Sequence, residues 1–414
     1  MAAYVDGVLT PARVRAVAWT VVALCVVAAT LNVALGHLPE TAIGTVLQPD
    51  WFAHWTGGRL LLEGRAGDLY DPAVQQALQD SVTGGRDDLA WFVSPPAAAL
   101  LYLPFSALPY VASGVLWTVV TIVLLVASVL LVRPLLPAYS DRQWRLAVLG
   151  VAASQPLLEL VGGGQDSALL LLIWVVGLRL LDAGRDPAAG AVLALGLVKP
   201  QLFVLVPLVL LVQRRWSALA AWAVAAAGVV GLSLAAAGTE GVEDWIAALT
   251  SDRYREVVQV GQAWMMHGIP SALVALVPSS WASAAQLVGL ALGALLVAAM
   301  LMVVRRARDA PVGAVWALVA LTTVLVTPHV LSYDLMLAIP AVLHLLGPPS
   351  TRTTRLSVLA VYLLTWTAWP RHELGNAVPW LAFVGVAWTA VPLLLLWRES
   401  RNELLDETYR ASAA

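Results

Sequence analysis

The acidic side chain of Asp50 is the best-placed candidate for chemistry in this sequence. It stands in the segment Gln48-Pro49-Asp50-Trp51-Phe52, a few residues beyond a long apolar run. A carboxylate in such a place can act as a general base that removes the proton from a hydroxyl group. Alternatively, Asp50 only caps a helix that begins at Trp51, because aspartate is a favoured N-cap residue. The residues themselves leave both roles open.

Three further ionisable residues interrupt apolar stretches. His329 and Asp334 follow Thr327-Pro328 at the start of an apolar run, and Lys199, the only lysine, precedes Pro200. Ionisable groups at membrane depth are costly, so they usually face a cavity or a partner. Lys199 is suited either to presenting its charge to a phosphate or to reaching the membrane interface. Asp334 is suited either to a functional site or to pairing with a neighbouring helix.

Two turns complete the set of candidates. Gln165 follows three consecutive glycines, and the backbone amides at the next helix start could bind an anion there. A plain turn is the simpler interpretation of the same residues. Arg371 and His372 follow Trp369-Pro370 and are either substrate contacts or part of a solvated loop.

The elements that position these residues are predicted to be membrane helices. Hydrophobic residues make up 60% of the 414 and charged residues 12%, against about 25% charged residues in soluble domains. Long apolar runs such as 14–35 and 282–304 match the length that crosses a bilayer. A net charge of −2 gives no basis for nucleic-acid binding. The single cysteine, Cys25, excludes an intramolecular disulfide and argues against a cysteine-based metal site.

The hydropathy pattern predicts one all-α polytopic domain over residues 1–414, with about twelve crossings and both termini in the cytoplasm. The orientation comes from the arginines, most of which fall on one side. Large outer loops are predicted at 36–94 and 238–269, with an amphipathic helix near 53–63 in the membrane interface, and a cytoplasmic tail at 398–414. The predicted crossings are 14–35, 97–132 with a break, 146–161, 165–181, 187–199, 200–212, 217–237, 281–304, 311–327, 329–346, 355–370 and 379–397. A half-crossing helix near Pro95–Pro109 would explain the break.

Short motifs, in order along about residues 45–345, resemble those of one enzyme family. The chain resembles the polyprenol-phosphate-sugar-dependent glycosyltransferases of family 87, within the GT-C superfamily. The motifs that carry the resemblance are Asp50, the Gly64 to Tyr70-Asp71 segment, Ser94-Pro95-Pro96, Gly164-Gln165, Lys199-Pro200 and Thr327-Pro328-His329.

The resemblance implies a GT-C-like helix bundle in the plasma membrane, with its active site on the outer face. Asp50 would be the catalytic residue, and Lys199 and His329 would lie near the phosphate of a polyprenyl-phosphate donor. Gln165, Asp334, Arg371 and His372 are then further substrate-binding candidates. Because Trp51 follows Asp50, a metal-binding carboxylate pair is not supported, and no cofactor is expected.

The implied reaction moves a sugar to a glycolipid or glycan acceptor with inversion. Mannose is the first expectation for that sugar and arabinofuranose the second. A transporter or flippase of lipid-linked substrates would also use broken helices and membrane-depth charges. It predicts inverted repeats, which the sequence does not show, and it gives no reason for a long outer loop bearing Asp50. A scaffold without activity is a third interpretation.

Overall fold

The computed structural model describes residues 10–85, 89–308, 310–348 and 350–367. Within these ranges the chain is helical and contains no β-strand, which confirms the all-α prediction. Short 3-10 helices and one π-helix join several of the α-helices. The α-helices are Pro11–Ala34, Pro49–Leu62, Pro72–Thr83, Pro96–Ser106, Tyr110–Val132, Asp141–Ala152, Gln155–Gly163, Ser167–Asp182, Asp186–Ala194, Val206–Val212, Trp216–Thr250, Ile269–Ala275, Ala282–Arg306, Val312–Val326, Ile339–Leu346 and Arg352–Thr365.

Four elements of the described chain are long and apolar enough to cross a membrane. They are Pro11–Ala34, Tyr110–Leu135, Trp216–Thr250 and Ser279–Arg306. The third of these is broken at Gly238, which has φ +67° and ψ −174°. The helices Asp141–Ala152 and Gln155–Gly163 meet at 51° and supply a fifth if they form one bent span. The count of about twelve crossings stays a prediction, and the last predicted crossing, 379–397, lies outside the described residues.

The predicted break between residues 97 and 132 is confirmed. Helix Pro96–Ser106 ends before helix Tyr110–Val132 begins, and Pro109 stands between them. At 1.5 Å per residue, its 11 residues reach only about half of a hydrocarbon layer of about 30 Å. The helix therefore has the length of a half-crossing element.

The two short crossings predicted around Lys199 are not continuous α-helices. Helix Asp186–Ala194 passes into a 3-10 helix, Leu195–Val198, before Lys199. Lys199 itself is not helical, with φ −134° and ψ 73°, because the ring of Pro200 disfavours the α conformation of the preceding residue. The chain returns to an α-helix only at Val206–Val212.

The crossing predicted at 329–346 is also wrong as a single helix. The chain forms a 3-10 helix over Ser332–Ala338 and an α-helix over Ile339–Leu346. Pro340 lies in the first turn of the second element and offers no backbone N–H to continue the preceding turn. His329 stands before both, in a stretch without regular helix.

The helix predicted in the first outer loop is present, but protein covers most of it. In helix Pro49–Leu62 the buried residues include Trp51, His54, Thr56 and Leu60, which lie around more than one face. An interfacial helix would instead bury one apolar face and leave the other in water. The described contacts thus make this element a packed part of the protein.

The chain divides into two compact units. The first, the Asp50 unit, contains Met1–Leu130, Tyr139–Leu172 and Ala227–Asp252. The second, the Lys199 unit, contains Leu131–Ala138, Ile173–Ala226 and Arg253–Ala414. Each statement below about them holds within the described residues. The single domain over 1–414 stays a prediction.

Aromatic residues form the centre of each unit. In the Asp50 unit, Trp51 and Trp117 stack with ring centroids 4.3 Å apart. In the Lys199 unit, Trp174 contacts Phe203 at 5.5 Å and Trp316 at 5.3 Å, in both cases edge to face. All five side chains are buried. Stacked and edge-to-face pairs of this kind fix ring positions more strictly than aliphatic packing does.

The predicted orientation in the membrane leads to a labelling test. We expect cysteines placed at positions 40 and 80 of a Cys25→Ala chain to react with an impermeant thiol reagent added outside intact cells. Cysteines at 140 and 308 should react only after the cells are opened, because arginine-rich loops stay in the cytoplasm. Labelling of position 140 from outside would reverse the topology.

Candidate functional site

Asp50 lies in the first turn of its helix and is not the N-cap. Helix Pro49–Leu62 begins one residue earlier, and its N-cap is Gln48, in the left-handed conformation with φ 53°. Proline is favoured at the first helical position because its missing N–H would find no helical partner there. The alternative that Asp50 caps this helix is therefore wrong. A carboxylate in the first turn is still favoured by the helix dipole.

The carboxylate of Asp50 lies directly against the glycine turn that follows helix Gln155–Gly163. A Cβ atom built on Gly163 would lie 2.7 Å from Asp50 Oδ2. One built on Gly164, where φ is +75°, would lie 2.7 Å from the Cβ atom of Trp51. The two glycines thus allow a backbone approach that no larger residue permits. The structure brings two of the predicted motifs, Asp50 and Gly164-Gln165, together.

Buried tryptophans fix this contact. Trp117 stacks on Trp51 and donates its indole N–H to the carbonyl oxygen of Gly164, at 2.9 Å. Trp51 donates its own indole N–H to Ser113 Oγ, at 3.1 Å. Since Trp51 is the residue after Asp50, these bonds hold the start of the helix against the glycine turn.

Gln165 and Asp166 complete the turn. The backbone N–H of Gln165 donates to the carbonyl of Leu160 at 3.2 Å, so this amide closes the preceding helix. Anion binding by the amides at the start of helix Ser167–Asp182 stays a prediction. Tyr102 donates its hydroxyl to Asp166 Oδ2 at 3.1 Å, and both residues are buried. The sequence analysis did not select this pair, although a carboxylate in an apolar run was a signal for it.

In the Lys199 unit, the structure brings together Lys199 and Asp334. The ammonium nitrogen lies 2.7 Å from Asp334 Oδ1, and the side chains are 13% and 0% exposed. The ammonium also lies 5.0 Å from the ring centroid of Tyr333, within the range of a cation–π contact. Lys199 is therefore part of a largely buried ion pair. The alternative that it reaches the membrane interface stays open. Asp334 has the partner role that the sequence left open.

His329 belongs to the same cluster. Its ring lies 6.4 Å from that of Tyr254, and it interacts electrostatically with both Lys199 and Asp334. Its Nδ1 atom is buried and makes no hydrogen bond within the described residues. Buried polar atoms are nearly always satisfied, so such an atom indicates a place for a ligand or water. We refer to Lys199, Tyr254, His329, Tyr333 and Asp334 as the Lys199 cluster.

Tyr254 supplies a neutral donor to this cluster. Burial raises the pKa of its hydroxyl to about 12, and the nearby charge of Lys199 acts in the opposite direction. The hydroxyl consequently stays protonated at neutral pH. Tyr254 was not selected from the sequence, where nothing distinguishes it from the other tyrosines.

Polar bonds hold the backbone around His329. The ring Nε2 of His267 is 3.0 Å from Ser332 Oγ, and the His267 N–H donates to the carbonyl of Val330 at 2.9 Å. Thr327 donates its hydroxyl to the carbonyl of Gln201 at 3.0 Å. The segment before His329 is thereby tied to the chain just beyond Lys199, and the segment after it is tied to His267.

Each unit offers its own chemistry. Asp50 can accept a proton, while Lys199, Tyr254 and His329 can donate hydrogen bonds to an anion. Arg371 and His372, the other predicted contacts, lie outside the described residues. Among the described residues no three His, Cys, Asp or Glu side chains are grouped as a metal site requires.

The contact between Asp50 and Gly163 can be tested with one methyl group. We expect Gly163→Ala to lower turnover about tenfold or more while the protein stays folded, because the added Cβ would displace the Asp50 carboxylate. A displacement of a catalytic group on the ångström scale lowers the rate strongly. Gly162→Ala is the matched control, since nothing lies within 4 Å of a Cβ there. Equal activity of the two variants in a transfer assay would contradict a role for this contact.

Comparison with known proteins identifies the family. The model of glycosyltransferase family 87 matches residues 92–328, which is more than half of the chain. No curated protein and no solved structure matches it. The match includes Gln165 and Lys199, begins after Asp50 and ends one residue before His329. The chain belongs to glycosyltransferase family 87 and is a membrane glycosyltransferase.

Proposed function

We propose that this family 87 enzyme transfers mannose from a polyprenyl-phosphate donor to a hydroxyl of a glycolipid or glycan on the outer face of the plasma membrane. The observation that carries the proposal is the Lys199 cluster. It combines a cation, a protonated tyrosine and a histidine whose buried Nδ1 atom has no hydrogen bond within the described residues. These are groups that stabilise a phosphate as it leaves.

The ion pair with Asp334 is compatible with this role. An ammonium has three N–H donors, so one bond to a carboxylate oxygen does not prevent another to a phosphate oxygen. Asp334 also accepts from the N–H of Leu331 at 3.3 Å, which fixes the carboxylate and, through it, the position of Lys199. A positioned cation stabilises developing charge better than a mobile one.

Asp50 serves as the general base. The acceptor oxygen attacks the anomeric carbon, the bond from that carbon to the phosphate oxygen breaks, and its electron pair stays on the phosphate. The proton of the acceptor hydroxyl passes to the Asp50 carboxylate. A single displacement inverts the anomeric carbon, so a β-linked mannosyl phosphate gives an α-mannoside. The scheme requires no metal.

Radiolabelled donors test the proposal directly. Membranes containing the protein are incubated with polyprenyl-phosphate-mannose and, separately, with the arabinofuranose donor. We expect label from the mannose donor to enter a polar glycolipid or glycan, and membranes without the protein serve as the control. Transfer from the arabinofuranose donor alone would change the sugar, and transfer from neither would contradict the proposal.

A further inference from the structure

We propose that a polar pocket in the Lys199 unit binds the saccharide part of the acceptor, an assignment that rests on the proposed transferase function. The pocket has a volume of about 340 Å³, within the usual range for small-molecule sites. It is formed by parts of four segments of the chain, namely 255–260, 270–274, 279–286 and the single residue Pro328.

The lining has the chemistry that sugar hydroxyls require. It presents the amides of Gln259 and Gln286 together with the hydroxyls of Ser279, Ser280 and Ser283. Amides and hydroxyls both donate and accept hydrogen bonds, as the hydroxyls of a sugar do. The three serines and Gln286 are concentrated at the start of a membrane-crossing element, Ser279–Arg306, whose remainder is strongly apolar.

The position of the pocket connects it with the Lys199 cluster through two chain segments. Tyr254 faces His329, while the next residue, Arg255, lines the pocket. Likewise Pro328 lines the pocket, and the next residue is His329 itself. Ser271, another lining residue, donates its hydroxyl to the carbonyl of Pro328. A group held in the pocket is therefore next to the site assigned to the donor phosphate.

The exposure of the rim favours the acceptor over the donor sugar. Ser279, Ser280 and Ser283 are exposed, and the side chains of Arg255 and Glu256 are 49% and 71% exposed. An acceptor glycan must extend away from the reacting hydroxyl, which an open polar rim allows. The donor instead carries a long polyprenyl chain, which needs apolar surroundings.

Binding of small saccharides to the full-length protein tests the pocket without relying on catalysis. The protein is purified in a detergent without a sugar head group, and saturation-transfer NMR measures binding of methyl α-mannopyranoside and α-mannobiose. We expect the double variant Gln259→Ala/Gln286→Ala to bind the saccharides at least about tenfold more weakly. Gln262→Ala, three residues beyond Gln259 and outside the lining, is the matched control and should bind as the wild type does.

The outcomes separate this proposal from the transferase function. Wild-type protein that binds neither saccharide, or a double variant that binds both normally, would overturn the pocket assignment. Loss of binding in the double variant, together with no sugar transfer from any donor by the wild type, would leave the saccharide pocket and remove the proposed reaction. In an active preparation the double variant should raise the apparent KM for the acceptor about tenfold and leave that for the donor unchanged. A rise for the donor alone would overturn the assignment to the acceptor.

Discussion

Asp50→Asn is expected to lower sugar transfer at least about a hundredfold, because asparagine cannot accept a proton and general-base catalysis contributes about a hundredfold or more. The fold should survive, since the substitution keeps the size of the side chain. It removes the favourable interaction of a first-turn carboxylate with the helix dipole, about 0.3 to 1 kcal/mol. The measurement is transfer of radiolabelled sugar by purified, folded protein.

Asp141→Asn is the matched control for this experiment. Asp141 also lies in the first turn of a helix, so the substitution removes a similar dipole interaction. It is exposed, and it belongs neither to the Lys199 cluster nor to the contacts described around Asp50. We expect this variant to keep its activity. Substantial transfer by a folded Asp50→Asn variant would show that Asp50 is not the base. Asp334 would become the next candidate, together with Glu373, which follows His372 in the sequence and lies outside the described residues.

The helix boundaries in this chain follow its prolines, so much of the irregular architecture could be predicted. Pro109 separates the half-length helix Pro96–Ser106 from the long one that follows, and Pro200 breaks the helix at Lys199. The preference of proline for the first helical position also applies at Pro49, before Asp50. A proline at the first helical position puts the N-cap at Gln48, which leaves Asp50 inside the helix.

The pairing within the Lys199 cluster could not be predicted. The cost of ionisable groups in apolar runs correctly selected Lys199, His329 and Asp334. It does not say which of them face each other, and Lys199 and Asp334 are 135 residues apart. Taken separately, both were candidates for substrate binding. In the structure the carboxylate partly neutralises the cation that was expected to meet the phosphate.

Aromatic members of the site were missed for a different reason. The chain contains 18 Trp and 9 Tyr, and in an apolar sequence most of them serve packing or the membrane interface. Tyr102 and Tyr254 differ from the rest only through what the fold places beside them, Asp166 and His329. That information depends on tertiary contacts and has no local sequence signal.

The second large effect is expected on stability, at Asp334. Asp334→Ala should destabilise the protein by about 3 to 5 kcal/mol, because it removes the carboxylate that faces a buried ammonium. Lys199→Ala should have a similar effect, since it leaves the fully buried Asp334 without that cation. The measurement is thermal unfolding of the purified protein, with the yield of folded material as a second readout.

The ion pair between Asp186 and Arg215 provides the matched control. Its N–O distance is also 2.7 Å, but the side chains are 21% and 25% exposed, so Asp186→Ala should destabilise the protein less than Asp334→Ala does.

The neutral double variant Lys199→Met/Asp334→Asn should recover most of the lost stability, because no charge remains buried alone. Equal stability of all these proteins would contradict a buried pair at Lys199. In the recovered double variant, a lowered kcat or a raised KM for the donor, with an unchanged KM for the acceptor, would support Lys199 as the phosphate ligand. Unchanged kcat and KM values would restrict the pair to a structural role.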